Sequence, residues 1–493
     1  MAVVQQAEPA PGAAAGAEGG RRWRWLPDAV GLLVVAGILL ALWLEFGSLF
    51  PQVEFNEWIV PRVPLSTELG DRLSDVLTFA NVYHTRTIPL FWSSVAGHAC
   101  GTNVSCLNAV VYVPVVLASV GLFAVARVFR LPASVATAVV AVFLVSEPSY
   151  AVLSWQATQH DRWAALATVA CLLAFFLAAR YVRRTWWSLL GWTVGLTILC
   201  LAAMNTKEAA WIVLPLAVTT PLLVARDRRQ AVNTALALAI PVIIMAIDAI
   251  TQYVIANRDP HINGGSIGDN LRTLTTYAVP GGLAVAVVLL VLCAAAAGYV
   301  VHERRRAPDA VWTLRLAAWV WIAVAVGWVI PIRTQIASAF YMYVPLATAA
   351  LAVALTLRAG FLALPRRGRA PYRYAAAAGA AGLCAWFLVG VLSNRIDTYT
   401  QVASLNTTFR QGLPRIGQIR AQHPNAHIAF ATPSDIPNTY RFVNTNFASD
   451  LFRFTGDQQP VDQLYGTVAG TACGTPGTLV IKLDERMQPS GTC

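Results

Sequence analysis

Residues 31–44 read Gly-Leu-Leu-Val-Val-Ala-Gly-Ile-Leu-Leu-Ala-Leu-Trp-Leu, with Arg21, Arg22 and Arg24 ahead of them and Glu45 behind. The apolar run extends from Leu32 to Leu49. At 1.5 Å per residue, roughly 20 such residues cross a hydrocarbon core of about 30 Å. Hydrocarbon offers the backbone no hydrogen-bond partner, so a spanning run of this kind is a helix. It is too long for the apolar core of a secretory signal and lacks a small-residue cleavage site, which makes it an uncleaved anchor. Runs of this kind recur near 29–49, 107–127, 132–150, 163–180, 186–203, 209–225, 231–254, 276–300, 310–330, 337–357 and 374–392. The expected fold is an all-α polytopic membrane protein with about eleven transmembrane helices.

Composition agrees. Of 493 residues, 57% are hydrophobic and 12% charged, too few charges to solvate a soluble protein of this size. The net charge of +11 does not indicate nucleic acid, because the arginines sit in short loops beside the spans. Their partner is the lipid bilayer. Lys207 and Lys482 are the two lysines, and this arginine bias with the Ala/Val richness suits a GC-rich bacterial genome.

With the N-terminus in the cytoplasm, alternate loops carry Arg127 and Arg130; Arg180, Arg183 and Arg184; Arg226, Arg228 and Arg229; Arg304, Arg305 and Arg306; and Arg366, Arg367, Arg369 and Arg373. That is the positive-inside pattern of a plasma-membrane protein. Residues 1–28 form a cytoplasmic tail, disordered over its first twenty, and residues 29–393 the membrane module. Residues 50–106 form a long outer loop, in which Pro64 to Ala80 reads as an amphipathic helix. Residues 394–493 are polar and mixed. Helix over 395–422 and strands at 427–431 and 478–483 predict a small extracytoplasmic α/β domain. Cys171, Cys200, Cys293 and Cys384 fall inside spans, whereas Cys100, Cys106, Cys473 and Cys493 fall outside. Disulfides Cys100–Cys106 and Cys473–Cys493 are therefore expected on the oxidising side.

The polar residues of functional interest gather at the outer ends of the spans. Glu54 and Asn56-Glu57 follow the first span, and Tyr83-His84-Thr85-Arg86 closes the same loop. Glu147-Pro148 and Gln159-His160-Asp161-Arg162 flank the third-to-fourth turn. Asn205-Thr206-Lys207-Glu208 forms a later turn. His261 lies in a further loop, and Arg333 precedes Phe340-Tyr341-Met342-Tyr343. Carboxylates, cations and aromatics on one face make a site for an anionic, hydroxyl-rich ligand. Asp161 admits two readings: a site for acceptor or metal, or an ion pair with Arg162 or Lys207. Lys207 reads as a phosphate contact or as the partner of Glu208. Arg86 and Arg333 read as phosphate ligands or as helix anchors. Tyr341 reads as a ligand contact or an interfacial aromatic. His84, His160 and His261 beside carboxylates admit a divalent metal, although no spacing demands one.

In order and placement these segments resemble the GT-C superfamily of membrane glycosyltransferases, which includes protein O-mannosyltransferases and actinobacterial sugar transferases. The acidic residues after the first span, the Tyr-His-Thr-Arg-Thr-Ile-Pro-Leu segment, Glu147-Pro148 through Asp161-Arg162, Asn205 to Glu208, and Phe340-Tyr341-Met342-Tyr343-Val344-Pro345 carry the resemblance, over roughly residues 29–360. It implies a GT-C-like module, a polyprenyl-phosphate sugar donor, a glycan or protein acceptor, and inversion with a first-loop carboxylate as base. The family's acidic pair stands here as Asn56-Glu57, which leaves the base between Glu57 and Glu54. The rival readings are a transporter or flippase of a lipid-linked or anionic substrate, and a non-catalytic membrane scaffold.

Overall fold

The structure is a computed structural model that describes residues 25–47, 87–100, 104–154, 158–256, 266–279, 281–329, 331–333, 339–365, 411–412, 414–419, 421–423, 426–432, 465–468, 478–484 and 488–493. The expected span at 374–392 and the amphipathic helix at 64–80 lie outside these residues, as do Glu54, Glu57, His84, Arg86, His261 and Cys473.

The described chain is predominantly helical. In order it forms α1 (Leu26–Phe46), α2 (Thr87–Cys100), α3 (Val104–Val128), α4 (Ala133–Leu144), α5 (Glu147–Ser154), α6 (Gln159–Tyr181) and α7 (Trp186–Met204). A 3-10 turn, Glu208–Ile212, leads into α8 (Val213–Leu223), then α9 (Arg228–Ala256), α10 (Ile267–Ala278), α11 (Gly282–His302) and α12 (Pro308–Val329). Two 3-10 turns, Pro331–Arg333 and Ala339–Met342, precede α13 (Tyr343–Ala363). Among the described residues eight helices are long and apolar enough to cross a membrane, or nine if the bent α4–α5 pair counts as one span. This is a multi-pass membrane protein.

Two of the expected spans are corrected. The span at 132–150 is not one helix: α4 and α5 meet at 57°. Pro148 has no N–H to offer the Leu144 carbonyl, so the helical ladder stops there. Ser146 fills the gap: its hydroxyl donates to Phe143 O (2.7 Å) and accepts the Ser149 backbone N–H (3.4 Å), as a helix N-cap does. The span at 209–225 is a short apolar helix, Ala209–Leu223, entered through the 3-10 turn.

Small residues set the helix spacing. A Cβ on Gly121 of α3 would lie 2.8 Å from the Val169 side chain on α6. Such close approach is what holds helices together where lipid removes the hydrophobic drive. The core of Ala, Val and Leu is punctuated by Phe129, Phe143, Phe175, Phe176 and Trp319. Helix α6 is central, with 67% of its span buried. Helix α11 is peripheral at 11%, its leucines and valines turned to lipid.

Prolines inside helices free carbonyls that lipid cannot satisfy, and at two of them a neighbouring helix takes the carbonyl. Pro114 in α3 removes the bond to Val110 O, and Trp92 of α2 donates its indole N–H there (3.0 Å). Pro241 in α9 frees Ala237 O, which accepts from the Thr193 hydroxyl of α7 (3.2 Å).

Of the expected disulfides, Cys100–Cys106 is formed, joining the end of α2 to α3. Cys493 is disulfide-bonded as well. The C-terminal part holds a four-stranded sheet in the order β2-β1-β3-β4, from β1 (His427–Thr432), β2 (Tyr465–Val468), β3 (Thr478–Leu483) and β4 (Pro489–Thr492). β1 lies parallel to β2 and β3, and β4 antiparallel to β3.

Two stability predictions follow from packing and backbone pairing. Gly121→Leu destabilises the protein by about 1–3 kcal/mol through overpacking, read as a lower denaturation midpoint in detergent, while Gly37→Ala, which meets nothing within 4 Å, leaves the midpoint unchanged. Thr193→Val costs about 1 kcal/mol by orphaning Ala237 O. In a Pro241→Ala background, where the helix regains its own bond, the same substitution costs little; an equal cost in both backgrounds would refute the pairing.

Candidate functional site

The two ends of the bundle differ chemically. One end carries the arginine-rich loops, with exposed Trp25, Trp186 and Trp187 at the helix starts in the manner of an interfacial aromatic belt. At the other end, Asn108 Nδ2 donates to Gly47 O (2.9 Å) and pins the close of α1 to α3. The charged site residues lie at this second end.

Asp161 stands in the first turn of α6, 1% exposed. Lys207 follows the end of α7. Its backbone is extended (φ −172°, ψ 159°), between a turn closed by Thr206 Oγ1 donating to Ala203 O (2.6 Å) and the 3-10 turn that begins at Glu208. The extension turns the side chain across to α6, where Lys207 Nζ donates to both carboxylate oxygens of Asp161, at 2.6 and 2.8 Å. His160 Nε2 lies 3.4 Å from Asp161 Oδ2. The rings of Phe340 and Tyr341, from the 3-10 turn before α13, have centroids 5.1 and 5.0 Å from Lys207 Nζ. Lysine and aspartate are both buried, so each would be costly alone and each compensates the other. Of the ion pairs open to these two residues, the structure shows the one between Asp161 and Lys207.

Arg162 has a different job. Its Nη2 donates to Val152 O (2.6 Å) and Leu153 O (3.5 Å), the carbonyl end of α5, and its Nη1 to Val111 O of α3 (3.2 Å). A cation at a helix C-terminus compensates the orphan carbonyls and the helix dipole. Arg162 thus holds the bent segment in place. Helix α5 in turn packs on the 3-10 turn that carries Phe340 and Tyr341. Two cations against one carboxylate leave the Asp161–Arg162–Lys207 cluster with net positive charge when His160 is neutral.

The end of the first loop reaches the same place. Ile88 N–H donates to Asn205 O (3.2 Å), two residues from Lys207, and the Trp92 ring meets Trp163 of α6 edge-on at 5.4 Å. Buried Tyr343 stacks on Phe143 at 4.7 Å.

His160, Asp161, Arg162, Lys207 and Tyr341 thus come together. Arg333 is exposed on its 3-10 turn, and no ion pair links it to the cluster among the described residues. Glu208 opens the turn after Lys207, with its side chain outside the described set, as are the proposed bases Glu54 and Glu57 and the loop residues His84 and Arg86. Among the described residues no group of three His, Cys, Asp or Glu side chains is arranged to hold a metal. Sequence reading missed α10, an amphipathic helix capped by Ser266, whose Asn270 donates to Ile332 O (3.2 Å) and ties it to the turn before Arg333. The Ser266-to-Asp269 cap was its available signal.

Asp161→Asn strands a buried ammonium and is expected to cost about 3–5 kcal/mol in a detergent unfolding titration. Asp161→Leu combined with Lys207→Met recovers most of that loss. A single substitution no worse than the double would show that the pair is not coupled. No family model matches this chain, and neither a curated protein nor a solved structure matches it.

Proposed function

We propose that the chain is a GT-C-like glycosyltransferase with about eleven spans, transferring a sugar from a polyprenyl-phosphate donor to an acceptor hydroxyl of an envelope glycan or protein. In this reading the arginine-rich loops are cytoplasmic and the Asp161–Lys207 end, with the C-terminal sheet, extracytoplasmic.

The observation that carries the reading is the meeting of Asp161 and Lys207, 46 residues apart, beneath two aromatic rings at the end where Ile88 returns from the first loop. Such a cluster suits both halves of the reaction. A hydroxyl becomes a competent nucleophile as a carboxylate takes its proton, the role assigned to Glu57, with Glu54 as the alternative. Its oxygen forms the new glycosidic bond while the bond from the anomeric carbon to the phosphate oxygen breaks. The departing phosphate takes the electron pair, and fixed cations stabilise the developing charge. Lys207 supplies such a cation, held by Asp161 so that it does not have to be ordered during the reaction. Phe340 and Tyr341 offer apolar faces for sugar or lipid.

The test is sugar transfer from radiolabelled polyprenyl-phosphate sugars by the purified protein in liposomes. Glu57→Gln is expected to lower turnover by about 100-fold or more with donor binding retained. Full activity in both Glu57→Gln and Glu54→Gln would remove the base assignment. A second reading, a flippase for the same lipid, draws on the broken α4–α5 helix, a device of transporters. It predicts movement of labelled lipid between leaflets without any transfer product.

A further inference from the structure

The arginine-rich end holds a cluster that topology alone does not require. Arg130 and Arg226 come from two separate connections and Arg180 from the last turn of α6, yet their guanidinium carbons lie 5.7, 4.8 and 5.4 Å from the centroid of a single ring, Trp312 on α12. Arg180 also lies over Phe176 (4.7 Å), and Phe129 packs against Phe176 beneath (5.0 Å). The positive-inside rule asks only that these loops carry arginine somewhere. It does not ask that three cations share one indole.

The ring attracts each guanidinium but does nothing for the repulsion among them, and Arg226 and Arg130 both lie close enough to act on Arg180. Three carboxylates on flanking elements have other partners, and Asp309, in the first turn of α12, forms no ion pair with these arginines among the described residues. Asp28 accepts from Arg127 Nε and Nη2, Glu303 pairs with Arg306, and Asp227 Oδ1 accepts the Gln230 backbone N–H (2.8 Å). Arg180 Nη2 and Trp312 Nε1 are both buried and have no acceptor among the described residues.

Arg130 is held there against its backbone preference. It has φ 66°, the left-handed region, and is the one non-glycine residue with positive φ among those described. Its N–H donates to Arg127 O and the next N–H, of Leu131, to Ala126 O. That is the Schellman ending of α3, whose left-handed position usually belongs to glycine. An arginine at a glycine position, facing two other arginines, is a local cost twice over.

We propose that Arg130, Arg180, Arg226 and Trp312 form a binding site for a phosphate-bearing anion at this end of the bundle. Phosphate oxygens accept from several guanidinium N–H groups at once and remove the mutual repulsion. Such a phosphate comes from an anionic phospholipid headgroup in the adjoining leaflet or from a soluble phosphate.

Arg130→Gly is the informative variant, because it removes one cation while relieving the strained cap, so the fold is retained or strengthened. Native mass spectrometry of the full chain, with phosphatidylglycerol titrated against phosphatidylcholine, is expected to show preferential retention of phosphatidylglycerol. That affinity falls about tenfold in Arg130→Gly, the equivalent of one charge-assisted contact. It disappears in Arg130→Gly combined with Arg180→Gln and Arg226→Gln. Retention that millimolar inorganic phosphate or pyrophosphate does not displace assigns the lipid source. Stabilisation by pyrophosphate without lipid preference, lost in the same variants, assigns the soluble one. Wild-type behaviour in the triple variant toward every probe overturns the site.

Discussion

A carbonyl in hydrocarbon has no water to turn to, and much of this molecule is arranged around that fact. Two helix-interior prolines release carbonyls, a demand that a neighbouring helix answers: Trp92 for Val110 and Thr193 for Ala237. The close of α5 makes the same demand and Arg162 answers it. These bonds are inter-helical ties placed where the sequence interrupts its own ladder. They fix α2 against α3 and α7 against α9, and they hold the bent α5 under the aromatic turn. The site inherits its shape from these ties.

Within that frame the Asp161–Lys207 pair is a different kind of constraint. Burying two charges costs more than their attraction returns unless geometry is good and hydrogen bonds are met. Here both carboxylate oxygens accept from the ammonium, and two aromatic rings face it. Apolar residues of similar size would pack at comparable stability. The pair thus keeps charge at a depth where charge is costly.

Most of the membrane architecture was legible in the sequence because an apolar run of spanning length has few other fates. The exceptions have local causes. The α4–α5 break was written in Glu147-Pro148, but the surrounding hydrophobicity concealed it. Helix α10 offers no apolar run of spanning length, because its apolar residues face only one side. In the C-terminal part, β1 and β3 were readable as apolar runs, whereas β4, Pro489–Thr492, has the composition of a turn and becomes a strand only by pairing with β3. At the site, the convergence of Asp161 with Lys207 was expected, but the partner of each was left open. The duty of Arg162 could not be read at all, since its acceptors are backbone carbonyls that no side-chain pattern marks.

The shallow seating of α11 has a consequence for how the molecule comes apart. The helix meets α12 and α13 along one side through small residues, such as Val300 beside Ala310 and Ala359, and Ala296 against Gly360, where an added Cβ would lie 2.9 Å away. Helix α6, by contrast, is enclosed by its neighbours. With one side packed and the rest facing lipid, α11 is the span whose loss would disturb the fewest buried side chains, leaving the lysine and aspartate at the centre in each other's grip.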